Sequence, residues 1–499
     1  MPHSALSRAA ATMVIMVSLV GATLTAPSAV AADGGDRAPA TQSRAEKAAV
    51  RALEAAKAAL AGNGRDATMA LRELRMRQDA LPPAERAVAE RLATRPTTTA
   101  YVESGNVRVH YNPGTFGPDY DQTDVLNTAV SVAQAYAAAG YRSPKPDFGK
   151  GGSNQIDIYA VPLEPGLYGY CDIDNGTVQP GPGRYDVPAF CAVDNDYAGF
   201  PTNTPVENLQ VTMAHEYFHA VQFAYDYFED GWFMEATAAW AEDELYDGID
   251  DNVQYLAASP ITVRKRSMDK FGDFFHYGVW IFFRYLTEKF PAEQGMLPKV
   301  MLQFWQAADS SKGAKKDKYS TQAISSVLKG KPYKLPMDKA FALFSDANLR
   351  ARFFYDEGQA NSYPNAKTNG GKALNKGQAK TFTAKLDHLS AASYRYTPKG
   401  NAKKLKISIS GAPKVQGTRA VVTTYLLNGK VKTKYVSING KGKGGFTAKF
   451  KKSEVAAVDV TLVNASTRFA KCYKKATPYS CSGKPVDQKK KIAVFGKAV

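Results

Sequence analysis

Two histidines and a glutamate within five residues have the spacing of a metal site. Residues 215–219 read His-Glu-Tyr-Phe-His. On an α-helix, residues i and i+4 lie on one face about one turn apart, so His215 and His219 can bind the same metal ion. Glu216 lies beside the first histidine and can take a proton from a water molecule there. Zinc prefers such a nitrogen-rich ligand set, completed by a carboxylate, with one position left open.

A helix must carry these side chains, and the sequence predicts where it begins. Thr204 suits the N-cap, Pro205 suits the first helical position, and Glu207 is placed for a capping box with Thr204. We therefore predict a helix over residues 205–225, with the motif in its second half. A chance match on an ordinary amphipathic helix is the alternative, but histidine is scarce, with 6 in 499 residues.

A third ligand is expected after this helix. Residues 232–240 follow Gly231, are rich in alanine and aromatic residues, and predict a second helix with Glu235 near its start. Burying an unpaired carboxylate in apolar surroundings is costly, and a metal ion would remove that cost. The other interpretation is an exposed glutamate that is stabilised by the helix dipole.

The two segments together resemble a known group of zinc peptidases. HEYFH at residues 215–219 followed by WFMEATAAW at residues 232–240 is similar to the gluzincin arrangement. The longer segments HEYFHAVQFAYD and WFMEATAAWAED resemble secreted bacterial metalloproteases of the MXAN type. The resemblance covers roughly residues 107–286 and implies an α+β, zincin-like catalytic domain.

The resemblance also implies a function and a set of site residues. His215, His219 and Glu235 are expected to hold Zn²⁺, and Glu216 is expected to be the general base. The expected activity is that of a zinc metalloendopeptidase, which hydrolyses peptide bonds in a protein or peptide substrate.

One position departs from the thermolysin-like pattern. Those relatives have an aspartate four residues after the ligand glutamate, where this chain has Ala239. Glu242, seven residues after Glu235 and on the same helix face, is our candidate to hydrogen-bond a ligand histidine instead. The alternative is a solvated charge beside Asp243 and Glu244.

The resemblance also predicts a group that stabilises the transition state. Gluzincins use a downstream tyrosine or histidine to hydrogen-bond the oxyanion, and this bond strengthens only as negative charge develops. Tyr277 and His276 are the candidates, at the start of an aromatic segment over residues 271–290. Packing of these rings in the core is the alternative.

The N-terminus predicts export. Arg8 precedes an apolar run over residues 9–24, and the small residues 29–31 give a cleavage site, so residues 1–31 are predicted to be a signal peptide. No later stretch has the 18 or more apolar residues of a transmembrane helix. We expect a secreted, extracellular protein with no transmembrane segment in the mature chain.

A chain of 499 residues is too long for a single core. We predict a helical segment over residues 32–98, a catalytic domain over residues 99–354, a linker over residues 355–376 and a β-domain over residues 377–499. The helical segment is rich in Ala, Arg and Glu and cannot build much core by itself. It is a propeptide, or else a helical brace or partly disordered arm. It contains no cysteine, so a thiolate switch is excluded.

The order of elements before the motif matches the upper half of a zincin domain. We predict a strand over residues 106–111, a helix over residues 121–139 and a second strand within residues 154–160. In such domains an edge strand runs beside the cleft and can pair with an extended substrate. Residues 154–160 are our candidate for that edge strand.

The cysteines and nearby acidic residues give two further predictions. Four cysteines in an exported chain suggest two disulfides, most simply Cys171 with Cys191 and Cys472 with Cys481. A structural zinc site is the alternative, but no C-x-x-C spacing is present. Residues 166–200 are expected to form a long loop, whose oxygen-bearing side chains could bind Ca²⁺ or could simply form turns. These side chains are Asp172, Asp174, Asn175, Asp194, Asn195 and Asp196.

The C-terminal residues change both period and charge. Seven strand-like segments lie between residues 381 and 463, with Asn428-Gly429 as a tight hairpin, which predicts an all-β, immunoglobulin-like sandwich. Residues 378–499 contain 26 Lys and Arg and 4 Asp and Glu, within a chain of net charge +17. An exported basic domain meets anionic cell-envelope polymer first, so we do not expect nucleic acid as partner. The alternative is that the excess of Lys and Arg serves only solubility. The alternative function is a non-catalytic cell-envelope-binding protein with the zincin domain as its scaffold.

Overall fold

Helices are concentrated before residue 355 and strands after residue 370 in the computed structural model of the protein. The structure describes residues 43–92, 94–176, 185–311, 318–474 and 477–499. All elements below belong to the unit Arg44–Val499. The helices are α1 Arg44–Leu60, α2 Thr68–Arg75, α3 Pro83–Leu92, α4 Gln122–Ala138, α5 Pro205–Phe223, α6 Gly231–Leu245, α7 Phe275–Gly278, α8 Trp280–Lys289, α9 Lys299–Ala307, α10 Ser320–Lys329, α11 Met337–Ala347 and α12 Ala351–Phe354.

The strands fall into one sheet before the motif helix, two sheets near the C-terminus and two short pairs. The strands are β1 Ala100–Ser104, β2 Val107–Tyr111, β3 Ile156–Val161, β4 Gly169–Asp172, β5 Phe190–Asp194, β6 Glu293–Gln294, β7 Leu297–Pro298, β8 Gly371–Leu374, β9 Ala379–Leu386, β10 Ser390–Pro398, β11 Lys404–Ser410, β12 Thr418–Leu426, β13 Val431–Tyr435, β14 Lys443–Lys449, β15 Val455–Asn464, β16 Phe469–Ala470, β17 Lys484–Pro485 and β18 Lys490–Ala498. The α+β class predicted from the sequence is confirmed. The zincin-like and immunoglobulin-like classes stay predictions.

The first sheet has the order β1-β2-β3-β5-β4. Strands β2, β3 and β5 are parallel, whereas β1 and β4 run antiparallel to their neighbours. Our prediction of an edge strand at residues 154–160 is wrong, because β3 is paired on both sides and all six of its residues are buried. The edge strand on the side of the motif helix is β4, which lies in the segment predicted to be a loop.

Helix α5 begins where its capping signals predict. The Thr204 side chain accepts a hydrogen bond from the Glu207 backbone, and the Glu207 carboxylate accepts one in return from the Thr204 backbone. Pro205 is the first helical residue. Because these contacts are local in sequence, they fix the start of the helix before any tertiary packing.

The N-terminal helices cover one face of the first sheet. A hydrophobic cluster joins alanines and leucines of α1 and α2 to side chains of β3, β4 and β5, including Tyr159 and Phe190. Helix α4 packs on the other face, where Ile156 and Ile158 enter the main core. The sheet is therefore buried on both faces, and the N-terminal segment supplies one of the two covers.

Two sheets near the C-terminus enclose a separate apolar core. Their orders are β13-β12-β15-β10-β8 and β14-β11-β18-β9, and the cluster between them contains residues of both. All seven predicted strands are present. Residues 371–374 of the predicted linker form β8, which pairs with β10 in a parallel register. Strand β18 was also missed, although it lies between β11 and β9.

Buried polar contacts fasten this C-terminal region to the helical core. Arg264 donates to the Ser393 hydroxyl, and Asp346 accepts from the hydroxyls of Thr423 and Thr461. The Trp232 indole at the start of α6 donates to Ser480. The C-terminal region therefore contacts the start of helix α6 at Trp232.

Both predicted disulfides are present. Cys171 and Cys191 face each other across β4 and β5, and Cys472 is bonded to Cys481. Disulfides of this kind indicate an oxidising, extracellular environment. The predicted signal peptide, residues 1–31, lies outside the described residues. In the part of the chain that is described, no helix is long and apolar enough to cross a membrane.

Candidate metal centre

Helices α5 and α6 bring three predicted ligands together. The Nε2 atoms of His215 and His219 lie 3.0 Å apart. Glu235 Oε2 lies 3.4 Å from His215 Nε2 and 3.8 Å from His219 Nε2. Glu235 is in the second turn of α6, and all three side chains are buried. His215 and His219 on α5 and Glu235 on α6 therefore direct their side chains to one point.

A fourth group, which the sequence analysis missed, completes the cluster. Asp66 Oδ2 lies 3.6 Å from His219 Nε2 and 4.0 Å from His215 Nε2. These three residues and Glu235 can each offer one ligand atom within 4.8 Å of one another. Asp66 lies about 150 residues before the motif and looks like an aspartate at a helix start, so no local signal could have identified it.

The donor set fits a zinc ion. Two nitrogen ligands and two carboxylate oxygens bound at about 2.0–2.2 Å in a tetrahedron lie about 3.3–3.6 Å apart, close to the separations found here. The Oδ2 atom of Asp66 and the Oε2 atom of Glu235 are buried without a hydrogen-bond partner among the described residues. Buried oxygens of this kind are costly unless a cation or donor meets them.

The Nδ1 atom of each histidine forms a hydrogen bond with a neighbouring side chain. His215 Nδ1 donates to Glu242 Oε1 at 2.5 Å, so Glu242 lies where we expected it. His219 Nδ1 donates to Gln222 Oε1 at 2.8 Å, and the Gln222 amide donates to the Met234 carbonyl. Because each Nδ1 faces an acceptor oxygen, both Nε2 atoms point inward toward the cluster. The sequence analysis missed Gln222, although its i+3 spacing from His219 was a usable signal.

The charges of the cluster shift its pKa values. Burial lowers the pKa of His215, but Glu235 and Glu242 outweigh burial and raise that pKa well above its usual value. Burial alone would raise the pKa of Glu235, yet His219 and His215 hold it well below the usual range. The carboxylate is therefore ionised where the ligand atoms converge.

Glu216 faces the same space without joining the ligand set. Burial raises its pKa well above the usual value, and the negative charge of Asp66 raises it further. Its Oε2 atom lies 3.2 Å from the Thr68 hydroxyl oxygen. A glutamate with a raised pKa can hold a proton and release it, which a general acid–base group must do.

The two oxyanion candidates have different surroundings. Tyr277 lines the cavity beside His215 and Glu216, and its ring centroid lies 6.1 Å from that of His215. His276 instead stacks on Phe271, with ring centroids 4.2 Å apart, and its Nδ1 accepts from the Gly272 backbone. Burial lowers the pKa of His276 to about 4. The geometry favours Tyr277.

Strand β4 lies directly beside the general-base candidate. A Cβ atom added to Gly169 would come within 2.9 Å of Glu216 Cγ, so only glycine allows this approach. Its neighbours along the strand include Cys171, whose disulfide to Cys191 fixes β4 to β5. The edge strand is therefore held close to the cavity over the candidate metal centre, whose volume is about 20 Å³.

The acidic side chains suggested for calcium do not converge. Asp172 is paired with Arg75, and Asp174 is paired with Arg95. Asp194 accepts backbone hydrogen bonds within its own turn. Ordinary turn and ion-pair roles therefore account for these carboxylates in the described residues.

Comparison with known proteins adds little. No protein-family model and no curated protein matches the chain. A solved pre-peptidase C-terminal domain of collagenase from Bacillus anthracis is similar over 27% of this chain and 100% of its own, with 8% identity and a TM-score of 0.17. A structure of infectious bursal disease virus (Gx strain) is similar over 24% of this chain and 32% of its own, with 15% identity and a TM-score of 0.13. Likenesses this weak carry no argument about fold or function.

Proposed function

We propose that the protein is a secreted zinc-dependent endopeptidase of the gluzincin type with a zincin-like catalytic domain. The observation that carries the proposal is the convergence of His215, His219 and Glu235, with the Glu216 carboxylate beside them. When bound, zinc polarises a peptide carbonyl and lowers the pKa of a water molecule.

The chain's own residues carry the proton transfers. Glu216 takes a proton from the attacking water and later delivers it to the leaving amine nitrogen. The Tyr277 hydroxyl donates to the carbonyl oxygen as negative charge develops there, so its hydrogen bond stabilises the transition state more than the substrate. Glu242 and Gln222 keep the two histidine rings in the required orientation.

Strand β4 is the proposed platform for the substrate. It is the last strand of the first sheet, and it runs past Glu216. An extended peptide that pairs with such an edge gains main-chain hydrogen bonds whatever its side chains are. This mode suits an endopeptidase, because it places an internal peptide bond over the centre.

The test combines zinc content with one isosteric substitution. The purified protein should bind about one zinc per chain, and Glu216→Gln should keep that zinc and the fold. Turnover of casein should fall by about 10²–10⁴-fold, because the acid–base group is lost. Glu293→Gln, an exposed change of the same chemistry, should leave turnover unchanged. Near-normal turnover in Glu216→Gln would rule out this mechanism.

A lysine-rich sheet face favours a second candidate function, binding of an anionic cell-envelope polymer. In the sheet β14-β11-β18-β9, alternate residues are buried in the C-terminal core and the others are exposed. The exposed face carries seven lysines, and the four strands contain no acidic residue. These are Lys385, Lys404, Lys406, Lys443, Lys449, Lys491 and Lys497.

The register places these charges close together. Lys404 lies opposite Lys449, Lys406 lies opposite Lys497, and Lys491 lies opposite Lys385. Neighbouring strands are about 4.8 Å apart. Such a surface attracts a flexible polyanion, and the attraction should weaken as salt screens the charges.

Binding of inorganic polyphosphate tests this candidate. Changing Lys404, Lys406 and Lys497 to glutamine should weaken binding and reduce its salt dependence. The matched control changes Lys289, Lys299 and Lys329, which are exposed on helices before residue 330. Equal losses in the two triple variants would show that total charge, and not this face, governs binding.

A further inference from the structure

The Asp66 carboxylate reaches the candidate metal centre from a segment outside the predicted catalytic domain. Its side chain is 5% exposed, and its Oδ2 atom lacks a hydrogen-bond partner among the described residues. The other oxygen, Oδ1, accepts from the Thr68 backbone at 2.7 Å. One oxygen is thus held by its own turn, and the other faces the two histidines.

The chain around Asp66 pairs with the edge strand. The Tyr168 backbone donates to the Arg65 carbonyl at 2.8 Å, and Asp66 forms a parallel bridge with Gly169. The Cys171 backbone donates to the Thr68 hydroxyl at 2.8 Å. Residues 65–68 therefore use the hydrogen-bonding edge of β4 that an extended substrate would need.

The same segment also reaches the general-base candidate. Besides accepting from Cys171, Thr68 Oγ1 lies 2.6 Å from Asp66 Oδ1 and 3.2 Å from Glu216 Oε2. The metal site, the base and the edge strand are thus all contacted within residues 65–68. The remaining cavity of about 20 Å³ has room for about one water molecule and is far smaller than the 300–1,000 Å³ usual for ligand sites.

Side chains of two types dock this segment on the catalytic domain. The apolar contact is made mainly by α2 against β4, where Leu71 and Leu74 belong to the same buried cluster as Tyr170, while α1 packs on α2. Arg75 pairs with Asp172, and the Arg72 guanidinium donates to the Glu229 carbonyl.

We propose that residues 44–92 are an inhibitory segment in which Asp66 fills the zinc position that a catalytic water needs. The inference rests on the proposed function. Four protein ligands close a zinc site, whereas a catalytic site keeps one position open. The group presented is a side-chain carboxylate, which contains no peptide bond to cleave. Release of the segment would free the zinc position, Glu216 and the β4 edge together.

The first test compares Asp66→Asn with Asp79→Asn in the full chain. Asp79 is an exposed aspartate of the same segment. Casein turnover should rise by about tenfold or more in Asp66→Asn, because the competing ligand is weakened, and should not change in Asp79→Asn. A fall in turnover for Asp66→Asn would overturn the proposal, since Asp66 would then assist catalysis. Unchanged turnover would overturn it as well.

The second test does not depend on activity. Zinc release to a colorimetric chelator should be about tenfold or more faster in Asp66→Asn than in the unmodified chain or in Asp79→Asn. Hydrogen exchange of residues 65–75 should speed up when zinc is removed from the unmodified chain, and this change should be absent in Asp66→Asn. Equal rates of zinc release, or hydrogen exchange that does not change when zinc is removed, would overturn the proposed contact between Asp66 and zinc.

The two tests separate the inference from the proposed function. Zinc binding with faster release from Asp66→Asn, but no turnover in any variant, would overturn the endopeptidase and leave Asp66 as a zinc ligand. Full turnover in the unmodified chain, with no gain in Asp66→Asn, would overturn inhibition and leave the endopeptidase.

Discussion

Helix α6 carries acidic residues into two clusters that look alike by composition but differ in what neutralises them. Glu235 joins His215, His219 and Asp66. Two turns later, Asp243 groups with Asp250 and Glu357. Both clusters could be read as metal sites if carboxylates alone were counted.

An arginine distinguishes the second cluster. Arg284 of α8 lies 3.2 Å from Asp243 and from Glu288, and it is also paired with Glu357. Its side chain is 11% exposed. Two carboxylate oxygens in each cluster lack a hydrogen-bond partner among the described residues. Asp243 is nevertheless paired with Arg284, whereas no arginine or lysine among the described residues is paired with Asp66 or Glu235. Carboxylates that a guanidinium already binds need no metal, whereas Asp66 and Glu235 face only two imidazole rings, which makes the first cluster the better candidate for a metal site.

The largest expected effect is on zinc binding. His215→Ala or His219→Ala should reduce bound zinc from about one per chain to nearly none, because each removes a nitrogen ligand. Glu357→Gln, in the second cluster, should leave zinc content unchanged. Elemental analysis after dialysis measures both. Zinc that persists in both histidine variants would reverse the assignment of the two clusters.

A pair of tyrosines gives the next largest effect. Tyr277 lines the first cluster, and the Tyr363 hydroxyl donates to Glu357 in the second at 3.1 Å. Tyr277→Phe should lower kcat by about 10²–10³-fold with little change in KM, as for loss of one oxyanion donor. Tyr363→Phe should leave both constants unchanged. A normal kcat in Tyr277→Phe would remove Tyr277 from the mechanism.

A smaller effect concerns stability at the second cluster. Arg284→Met should lower the free energy of unfolding by about 3–5 kcal/mol, because it leaves buried carboxylates without their cation. Lys57→Met, which removes an exposed ion pair with Glu54, should cost less than about 1 kcal/mol. Urea denaturation compares the two variants. Similar costs would mean that the buried cluster does not depend on Arg284.

The smallest expected effect is a pH dependence of the second cluster. Burial raises the pKa of Glu288 to about 7 and, together with Asp247, raises the pKa of Glu357 to about 7. Between about pH 4.5 and 7 the unfolded chain therefore binds fewer protons at these sites than the folded chain, so stability falls as pH rises. Urea midpoints at several pH values should show this fall, and Glu357→Gln should reduce its slope. A slope that is unchanged in Glu357→Gln would exclude this residue as a source.

Much of the candidate site could be predicted because its signals are local. The i, i+4 spacing of His215 and His219, and the capping box of Thr204 with Glu207, depend on one helix alone. The seven strands near the C-terminus were also predictable from their composition and turns. Strands β11 and β14 show alternate burial, whereas β10, β12 and β15 are buried almost throughout. The ends of these elements agree with the predictions to within a few residues.

The features that were missed depend on contacts between distant segments. The sequence predicts β4 as part of a loop and β3 as the edge strand, whereas strand order is set by pairing and not by the composition of either strand. Strand β8 lies within the predicted linker for a similar reason, since it is short and is stabilised by its pairing with β10. The choice between His276 and Tyr277 required the direction of each side chain.

The sequence by itself determined the chemistry that this chain can carry and the helices that present it, because ligand types, spacing and caps are local properties. Only the tertiary structure decided what surrounds that chemistry. It brought Asp66 and Thr68 across roughly 150 residues of chain to the histidines and to Glu216. It also placed Arg284 beside Asp243 in one acidic cluster of α6, and placed Glu235 in the other cluster beside two imidazole rings. Such neighbours arise from the burial of whole sheet and helix faces, which no short stretch of sequence specifies.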